Sequence, residues 1–435
     1  MADSENGKRP TRKLTVKNFS VIKDATLEFG KITVLIGPQS SGKSLLCKLA
    51  YFLSYEFIGA AVDATKSGLQ WEEFETLAAI RFSSWFPPES WAAKQFSIRL
   101  QFDRYVVGFT SPIAADANLL RLNAGDEFKA VYERLAEAKS PQWPTLSAEE
   151  QQVAALDAFV SLQDPSALVQ SLYVPSGRAF FTNNLGSTIM QNPALDPIIR
   201  RFNAEIIWNP VRWKPGLLAS RRGVIESLNE AMNRMSGGTV VIRGNEPALK
   251  TEQNGVLPFS ILSSGTQELL PLFNLLDRLA HVYEHTSLLL RSKHGVTEIS
   301  HRLLLYMEEP EVHIFPKTQY EVVQLFAWLA NDPILCFDWV ITTHSPYILT
   351  AFNNLIEAGQ VARSKPELKD EVVKIIPERY WIKEGDFKAY AIEDGILKSI
   401  VAEDTGLVSA NYLDQVSETI GAEFDELLRL GYVES

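Results

Sequence analysis

The stretch from Ile32 to Ser44 constrains this chain most. Ile32-Thr33-Val34-Leu35-Ile36 is a short apolar run rich in β-branched residues, and it reads as a buried strand. It turns through Gly37-Pro38-Gln39-Ser40-Ser41-Gly42 and enters a helix starting near Lys43. Gly37 to Ser44 fits G-x-x-x-x-G-K-[ST], the phosphate-binding loop. Glycines let the backbone curl so that successive N–H groups face phosphate oxygens. The helix N-terminus adds partial positive charge. Lys43 then reaches the β- and γ-phosphates, and the Ser44 hydroxyl is placed to ligate Mg²⁺. A glycine turn before an ordinary surface helix would also hold two glycines, but the motif needs a strand in front of it, and that strand is here.

With 435 residues, the chain has core enough for two or three domains. Its 46% hydrophobic and 22% charged content is ordinary for a globular protein. The net charge of -11 excludes non-specific coating of nucleic acid by the whole molecule, so any such contact needs a local patch. Two cysteines, Cys47 and Cys336, make no disulfide framework and suit a reducing cytoplasm. Met1 to Lys13 is polar, lacks an apolar signal core and reads as disordered. No apolar run approaches the length of a membrane span, so a cytoplasmic protein without a membrane partner is expected.

In chain order, Leu14–Phe19 and Ala25–Phe29 read as strands joined by Val21-Ile22-Lys23-Asp24. Leu45, Leu46, Leu49, Ala50 and Leu53 give the helix after the loop a buried face. Residues 57–93 read as helix and loop. Phe96–Phe102 alternates at period two and pairs with Tyr105–Phe109 through a turn at Asp103-Arg104. Residues 112–170 read as helical, with Phe128, Val131, Tyr132 and Leu135 on one face and no sustained heptad. Leu172–Pro175 and Thr239–Ile242 read as strands, and Asn254-Gly255 as a hairpin turn. Leu303–Met307 and Trp339–Thr343 are continuous apolar runs of the kind that central parallel strands show. A helix is expected from Pro316 to about Ala330, then helix, loop and a further strand up to about Lys383. Beyond Glu393, acidic residues dominate, and Leu413, Val416, Ile420, Phe424 and Leu427 recur at helical spacing.

Two other features bear on chemistry. Leu303–Met307 ends in Glu308-Glu309, and ligands bind at the carboxyl ends of strands in open α/β sheets. There one carboxylate can hold Mg²⁺ through water while the other takes a proton from an attacking water. From Arg178 to Arg222, seven basic residues (Arg178, Arg200, Arg201, Arg212, Lys214, Arg221 and Arg222) face only Asp196 and Glu205. Phe202, Trp208 and Trp213 are interleaved, as on a nucleic-acid or phosphate surface; a solvated helical face explains the same residues.

Four pieces stand in fixed order: Gly37–Ser44, Leu262–Gln267, Leu303–Glu309 and Thr342–Pro346. In this order the chain resembles the ATP-binding-cassette ATPases, within them the soluble branch of chromosome-maintenance, recombination-repair and overcoming-lysogenization-defect proteins. Leu262-Ser263-Ser264-Gly265-Thr266-Gln267-Glu268 resembles the signature motif. Glu308-Glu309-Pro310-Glu311 resembles the end of the Walker B strand, and Thr343-His344-Ser345-Pro346 the switch histidine. The resemblance implies an α/β fold: an ABC-type head with a mixed central sheet, an antiparallel β subdomain and helical insertions. It divides the chain into a disordered 1–13, a first lobe at 14–111, a helical insertion with the start of a second lobe at 112–258, the signature-to-switch part at 259–390, and an acidic tail at 391–435.

The resemblance also implies roles. Residues Gly37, Pro38, Gln39, Ser40, Ser41, Gly42, Lys43, Ser44 and Leu45 would surround ATP, with Mg²⁺ on Ser44 and, through water, on Glu308. Glu309 would be the general base and His344 would contact the γ-phosphate. Ser263, Ser264 and Gly265 would touch ATP held by a second protomer, so hydrolysis implies a head-to-tail homodimer or higher homo-oligomer. Gln39 stands where the family usually has asparagine, and Val174–Arg178 lacks the expected Mg²⁺-sensing glutamine. The chain further resembles standalone ATPases that work with a separately encoded nuclease in bacterial anti-phage systems, having short insertions and too few residues after His344 for a fused nuclease.

Two other readings compete. One is a DNA-repair or chromosome-structure ATPase that clamps DNA on its dimerised heads. The other, weaker one is a zinc hydrolase, because His281-Val282-Tyr283-Glu284-His285 fits H-x-x-E-H; its third ligand has no candidate, and an exposed helix end after the signature-like helix explains the residues better.

Overall fold

The computed structural model describes residues 12–91, 95–102, 105–111, 120–137, 170–183, 195–206, 222–243, 246–253, 255–294, 303–333, 335, 337–409 and 425. The expected turn at Asp103-Arg104, Asn254, the Trp208 and Trp213 part of the basic stretch, and the amphipathic tail helix lie outside them.

The chain begins with β1 (Arg12–Phe19), β2 (Ile22–Glu28) and β3 (Ile32–Ile36), then helix α1 (Lys43–Tyr51). A π-helical turn, Phe52–Glu56, joins α1 to α2 (Phe57–Lys66), and α3 (Trp71–Trp85) follows. Next come β4 (Phe96–Phe102), β5 (Tyr105–Ser111), β6 (Arg121–Ala124), α4 (Asp126–Glu137) and β7 (Gln170–Val174). A short helix, α5 (Ala179–Asn183), leads to α6 (Pro197–Ile206), α7 (Arg222–Ser236), and strands β8 (Gly238–Arg243), β9 (Glu246–Thr251) and β10 (Val256–Pro258). Then follow α8 (Ser264–His294), β11 (Leu303–Glu308), α9 (Pro316–Asn331), β12 (Phe337–Thr343), α10 (Pro346–Ser364), α11 (Lys369–Ile375), β13 (Phe387–Glu393) and β14 (Ile396–Ser399).

Eleven strands form one sheet in the order β6-β5-β4-β1-β2-β14-β13-β3-β12-β11-β7. From β13 to β7 all neighbours run parallel, so the carboxyl ends of β3, β12, β11 and β7 share one edge. β11 and β12 are buried along their whole length, as strands covered on both faces must be. From β6 to β2 the strands are antiparallel, and this half carries the aromatic core around Phe19, Phe52, Phe82, Phe96 and Phe109. The other face is covered by α8, α9 and α10 with a mainly aliphatic core around Leu305, Leu325, Ile341 and Leu355. A second sheet, β10-β9-β8, packs Leu249 with Phe259, Leu262 and Leu270 under the start of α8.

The architecture is thus α/β with a mixed central sheet, an antiparallel part and helical additions. It corrects several local expectations. The first hairpin turns at Ser20-Val21, and β2 starts at Ile22, because Ile22 pairs directly with Phe19. Residues 121–124 add a strand where helix is expected; Leu122 lies opposite Phe109, so edge pairing wins over composition. The strand expected before Lys383 lies at Phe387–Glu393 and pairs with β3. Among the described helices, only Lys43–Lys66 is long and apolar enough to cross a membrane, and most of it is buried in the core.

Candidate functional site

The site is built on the common edge of the parallel strands. After β3, the loop curls through positive φ at Ser40 and Gly42 and delivers α1 with its first-turn N–H groups outside any intrahelical ladder. Gly42 has φ 104°, a backbone conformation that residues with a Cβ rarely adopt, so a substitution there is strained. No acidic residue occupies the first turn of α1, which leaves its partial positive charge uncompensated. Lys43 folds back over the loop and donates to the carbonyls of Gly37 and Pro38, both at 2.8 Å. Burial pulls its ammonium below the usual lysine range, while Glu309 and Glu311 work in the opposite direction.

Glu308 closes β11. One of its carboxylate oxygens accepts from Tyr173 Oη at 2.7 Å and the other from the Ser176 N–H at 3.2 Å. Tyr173 is itself stacked on Tyr306 and packed edge-on by Tyr51 of α1, so the helix after the phosphate loop helps to fix Glu308. Glu309 follows with φ 41°, a left-handed conformation rare for such a residue. Its N–H donates to Thr342 O at 2.9 Å, extending the β11–β12 ladder by one bond, and its carboxylate lies 3.7 Å from His344 Nε2. Glu311 accepts from Thr343 Oγ1 at 2.8 Å and from the His344 N–H at 2.6 Å, tying the end of β12 to the turn after β11. Its second oxygen, Oε2, is buried without a partner among the described residues, as is Ser41 Oγ in the loop.

Arg178 lies beyond the end of β7 and is 1% exposed. Its Nε donates to Glu268 O, its Nη1 to Pro175 O and Glu308 O, and its Nη2 to Glu309 O, at 2.8–3.2 Å. This corrects its expected place on a basic surface: the side chain is enclosed because four acceptors from three segments converge on it. Burial lowers its pKa, and the carboxylates of Glu268, Glu311, Glu308 and Glu309 oppose that.

Ser263 and Ser264 are exposed at the start of α8, where Ser263 Oγ accepts from the Thr266 N–H at 3.3 Å as a helix cap. Gly265 packs so close to the turn after β11 that a Cβ would stand 2.6 Å from His313 O. Among the described residues, no hydrogen bond joins Ser263, Ser264 or Gly265 to the phosphate loop. The structure therefore gathers Lys43, Glu308, Glu309, Glu311 and His344 at one edge and leaves the serine-glycine tip facing outward. The remaining loop residues expected to surround nucleotide, Pro38, Gln39 and Ser40, are exposed, while Gly37, Ser44 and Leu45 are half-buried. His281 Nδ1 lies 2.8 Å from Asp277 O, and no group of three metal-ligating side chains occurs among the described residues.

Sequence reasoning missed Tyr173, the Arg178–Glu268 pair and the Glu311 tie. Glu311 sits within the quoted Glu-Glu-Pro-Glu run, and Tyr173 and Arg178 flank the end of a recognised strand, so their positions were legible and their partners were not.

Residues 192–349, about a third of the chain, match the family model described as an AAA ATPase domain, which takes in the signature-like, carboxylate and histidine segments but not the phosphate loop. No match to a curated protein was found. Among solved structures, the chain is similar to the SMC head domain from Thermotoga maritima at 11% identity, covering 91% of this chain and 100% of that one, with TM-score 0.37. It is similar to an Smc head bound to the C-terminal winged-helix domain of ScpA at 12% identity, 90% and 96% coverage and TM-score 0.39. An ATP-binding cassette of an ABC transporter in its ADP conformation aligns at 11% identity, 94% and 96% coverage and TM-score 0.33.

Proposed function

We propose that this chain binds and hydrolyses ATP between two copies of itself and uses the cycle as a switch on a separately encoded effector. The observation that supports this best is the sharing of one sheet edge by a phosphate loop, a carboxylate pair and a histidine. The loop fits a triphosphate: it offers a helix N-terminus without acid, a lysine on its own carbonyls, and a buried Ser41 hydroxyl without a partner among the described residues. Ser44 and, through water, Glu308 are the residues that would hold Mg²⁺, which when bound supplies charge neutralisation for the phosphates. In this reading Lys43 leaves the Gly37 and Pro38 carbonyls for phosphate oxygens. Glu309 takes the proton of the attacking water, and His344, 3.7 Å away, orients against it and the terminal phosphate.

A second copy is the fitting partner for the outward tip. Ile261, Phe315 and Tyr347 are 64%, 75% and 57% exposed and stand two residues before Ser263, two after His313 and three after His344. Large exposed apolar side chains beside a site read as an interaction surface. The effector, which we propose to be a nuclease of a cytoplasmic anti-phage system, rests on the sequence resemblance; a nuclease that co-purifies from the native cell supports it.

The test is Glu309→Gln. It should retain ATP, accumulate a dimer seen by light scattering, and lose about 100-fold or more of turnover, because only proton acceptance is removed. Lys43→Ala should bind no nucleotide. Wild-type turnover in Glu309→Gln would overturn the assignment of the base.

A further inference from the structure

We infer that Arg178 is a positioning residue that ties the start of α8 to the carboxylate turn, so that whatever engages Ser263–Gly265 also sets Glu309. This rests on the ATPase reading above and adds to it how the same site is regulated.

The first turn of α8 has two sides. Ser263 and Ser264 face solvent, and Glu268, one turn on, is 2% exposed. The Glu268 carboxylate accepts the N–H of Arg178 at 2.8 Å and that of Ala179 at 3.1 Å, and lies 3.5 Å from Arg178 Nε. The far end of the same guanidinium donates to Glu308 O at 2.8 Å and Glu309 O at 3.1 Å. One rigid planar group thus bridges α8 and the end of β11, with Pro175 at the end of β7 as a third support.

The turn it holds is strained and held at several points. Glu309 keeps its positive φ with its N–H on Thr342 O and its C=O shared between Arg178 Nη2 and the Val312 N–H at 3.2 Å. Such conformations persist where surroundings over-determine them, and they relax when a tie is cut. His313, also at positive φ, meets Gly265 at van der Waals range, so α8 touches the turn at a second place. A shift of the start of α8 therefore reaches both ends of the Glu309 turn. Its effect on the base is through position, with no contact to substrate.

The experiment uses the full chain with Arg178→Lys and, as a second variant, Glu268→Gln. An ammonium cannot span acceptors from three segments, and the amide loses the charge and keeps an oxygen for only one of the two N–H groups, which lie on different carboxylate oxygens. A nonhydrolysable ATP analogue reports binding by calorimetry, phosphate release gives kcat and KM, and hydrogen exchange follows the peptides spanning 262–270 and 306–313. Variants that remain folded by circular dichroism should bind the analogue within about 3-fold of wild type and lose about 30-fold in kcat, as expected for a misplaced catalytic group. The analogue should still protect 262–270 but no longer 306–313. A folded variant with wild-type kcat and wild-type protection of 306–313 sinks the tie alone. Equal loss of affinity and kcat also overturns it, since a merely structural role would do that. A wild type that neither binds the analogue nor releases phosphate sinks the ATPase reading and the tie together.

Discussion

Arg178 and Arg201 belong to one basic stretch, yet the fold gives them opposite surroundings. Arg178 is 1% exposed and fixed by carbonyls and a carboxylate from α8, β11 and the end of β7. The Arg201 side chain is 35% exposed, lies over the Tyr55 ring, donates to the Tyr55 hydroxyl and has its Nε 3.5 Å from Glu205, while Arg278 donates to the same carboxylate. Among the described residues its Nε has no hydrogen-bond partner, and neither has that of Arg200. The first is a closed network with nearly every donor used; the second is a looser ionic cluster of α6, α8 and the π-helical turn. A run of arginines in a sequence therefore names two physical objects. One orders a site, and the other is a partly wet surface with donors to spare.

The comparison breaks most visibly at Arg178. Arg178→Met should lower stability by about 3–5 kcal/mol, because it leaves the Glu268 carboxylate buried without its partner. Adding Glu268→Leu should recover only part of that loss, since it removes the buried charge but leaves the N–H groups of Arg178 and Ala179 without their acceptor. Urea unfolding of the two variants measures both numbers. A loss below about 1 kcal/mol for Arg178→Met would place it with ordinary surface pairs.

The same contrast marks how far the sequence carries. The strands of the parallel edge, the Gly37–Gly42 turn into α1 and the place of Glu308-Glu309 at a strand end are legible because each signal is local: an apolar run, a glycine spacing, a charge after a strand. Helix α8 is legible from Leu269, Leu270, Leu272, Leu275 and Leu276, which read as a helix after Glu268, whereas the helix itself begins at Ser264. The Arg178–Glu268 pair is not, because its partners are ninety residues apart and meet only when β7 is laid beside β11. The Glu311 tie to His344 fails for the same reason, across the β11–β12 crossover. Strand β6 fails differently: its Arg121-Leu122-Asn123-Ala124 has weak strand propensity, and pairing with β5 decides it. Nothing in composition separates Arg178 from Arg201, because burial is a property of topology.

A smaller effect is expected at Arg201. Arg201→Gln should cost about 1 kcal/mol or less, as partly exposed pairs do. If the cluster also serves as a phosphate surface, neutralising Arg200 and Arg201 together should weaken binding to a DNA duplex. The slope of log affinity against log salt should then become shallower by about one for each phosphate that no longer meets a guanidinium. Unchanged binding, or none in the wild type, confines the cluster to a structural role. A stability loss equal to that of Arg178→Met would erase the distinction between the two arginines.

The smallest effect sharpens the comparison through pH. Glu56 sits in the looser cluster, 3.6 Å from Arg81, and burial raises its carboxyl above the ordinary range, opposed by Arg81, Arg201 and Arg200. A carboxyl whose pKa rises on folding holds its proton more tightly in the folded state. The stability it contributes is therefore complete below its unfolded value and is lost as pH climbs through its folded value. Glu56→Gln removes that titration. The stability of wild type minus that of the variant should accordingly fall as pH rises above about 4.5, which urea midpoints at a series of pH values will show. A difference that grows with pH would mean that the three guanidinium groups outweigh burial at Glu56. The looser cluster would then hold its carboxylate as firmly as the network around Arg178 holds Glu268, and the two regions would differ in exposure alone.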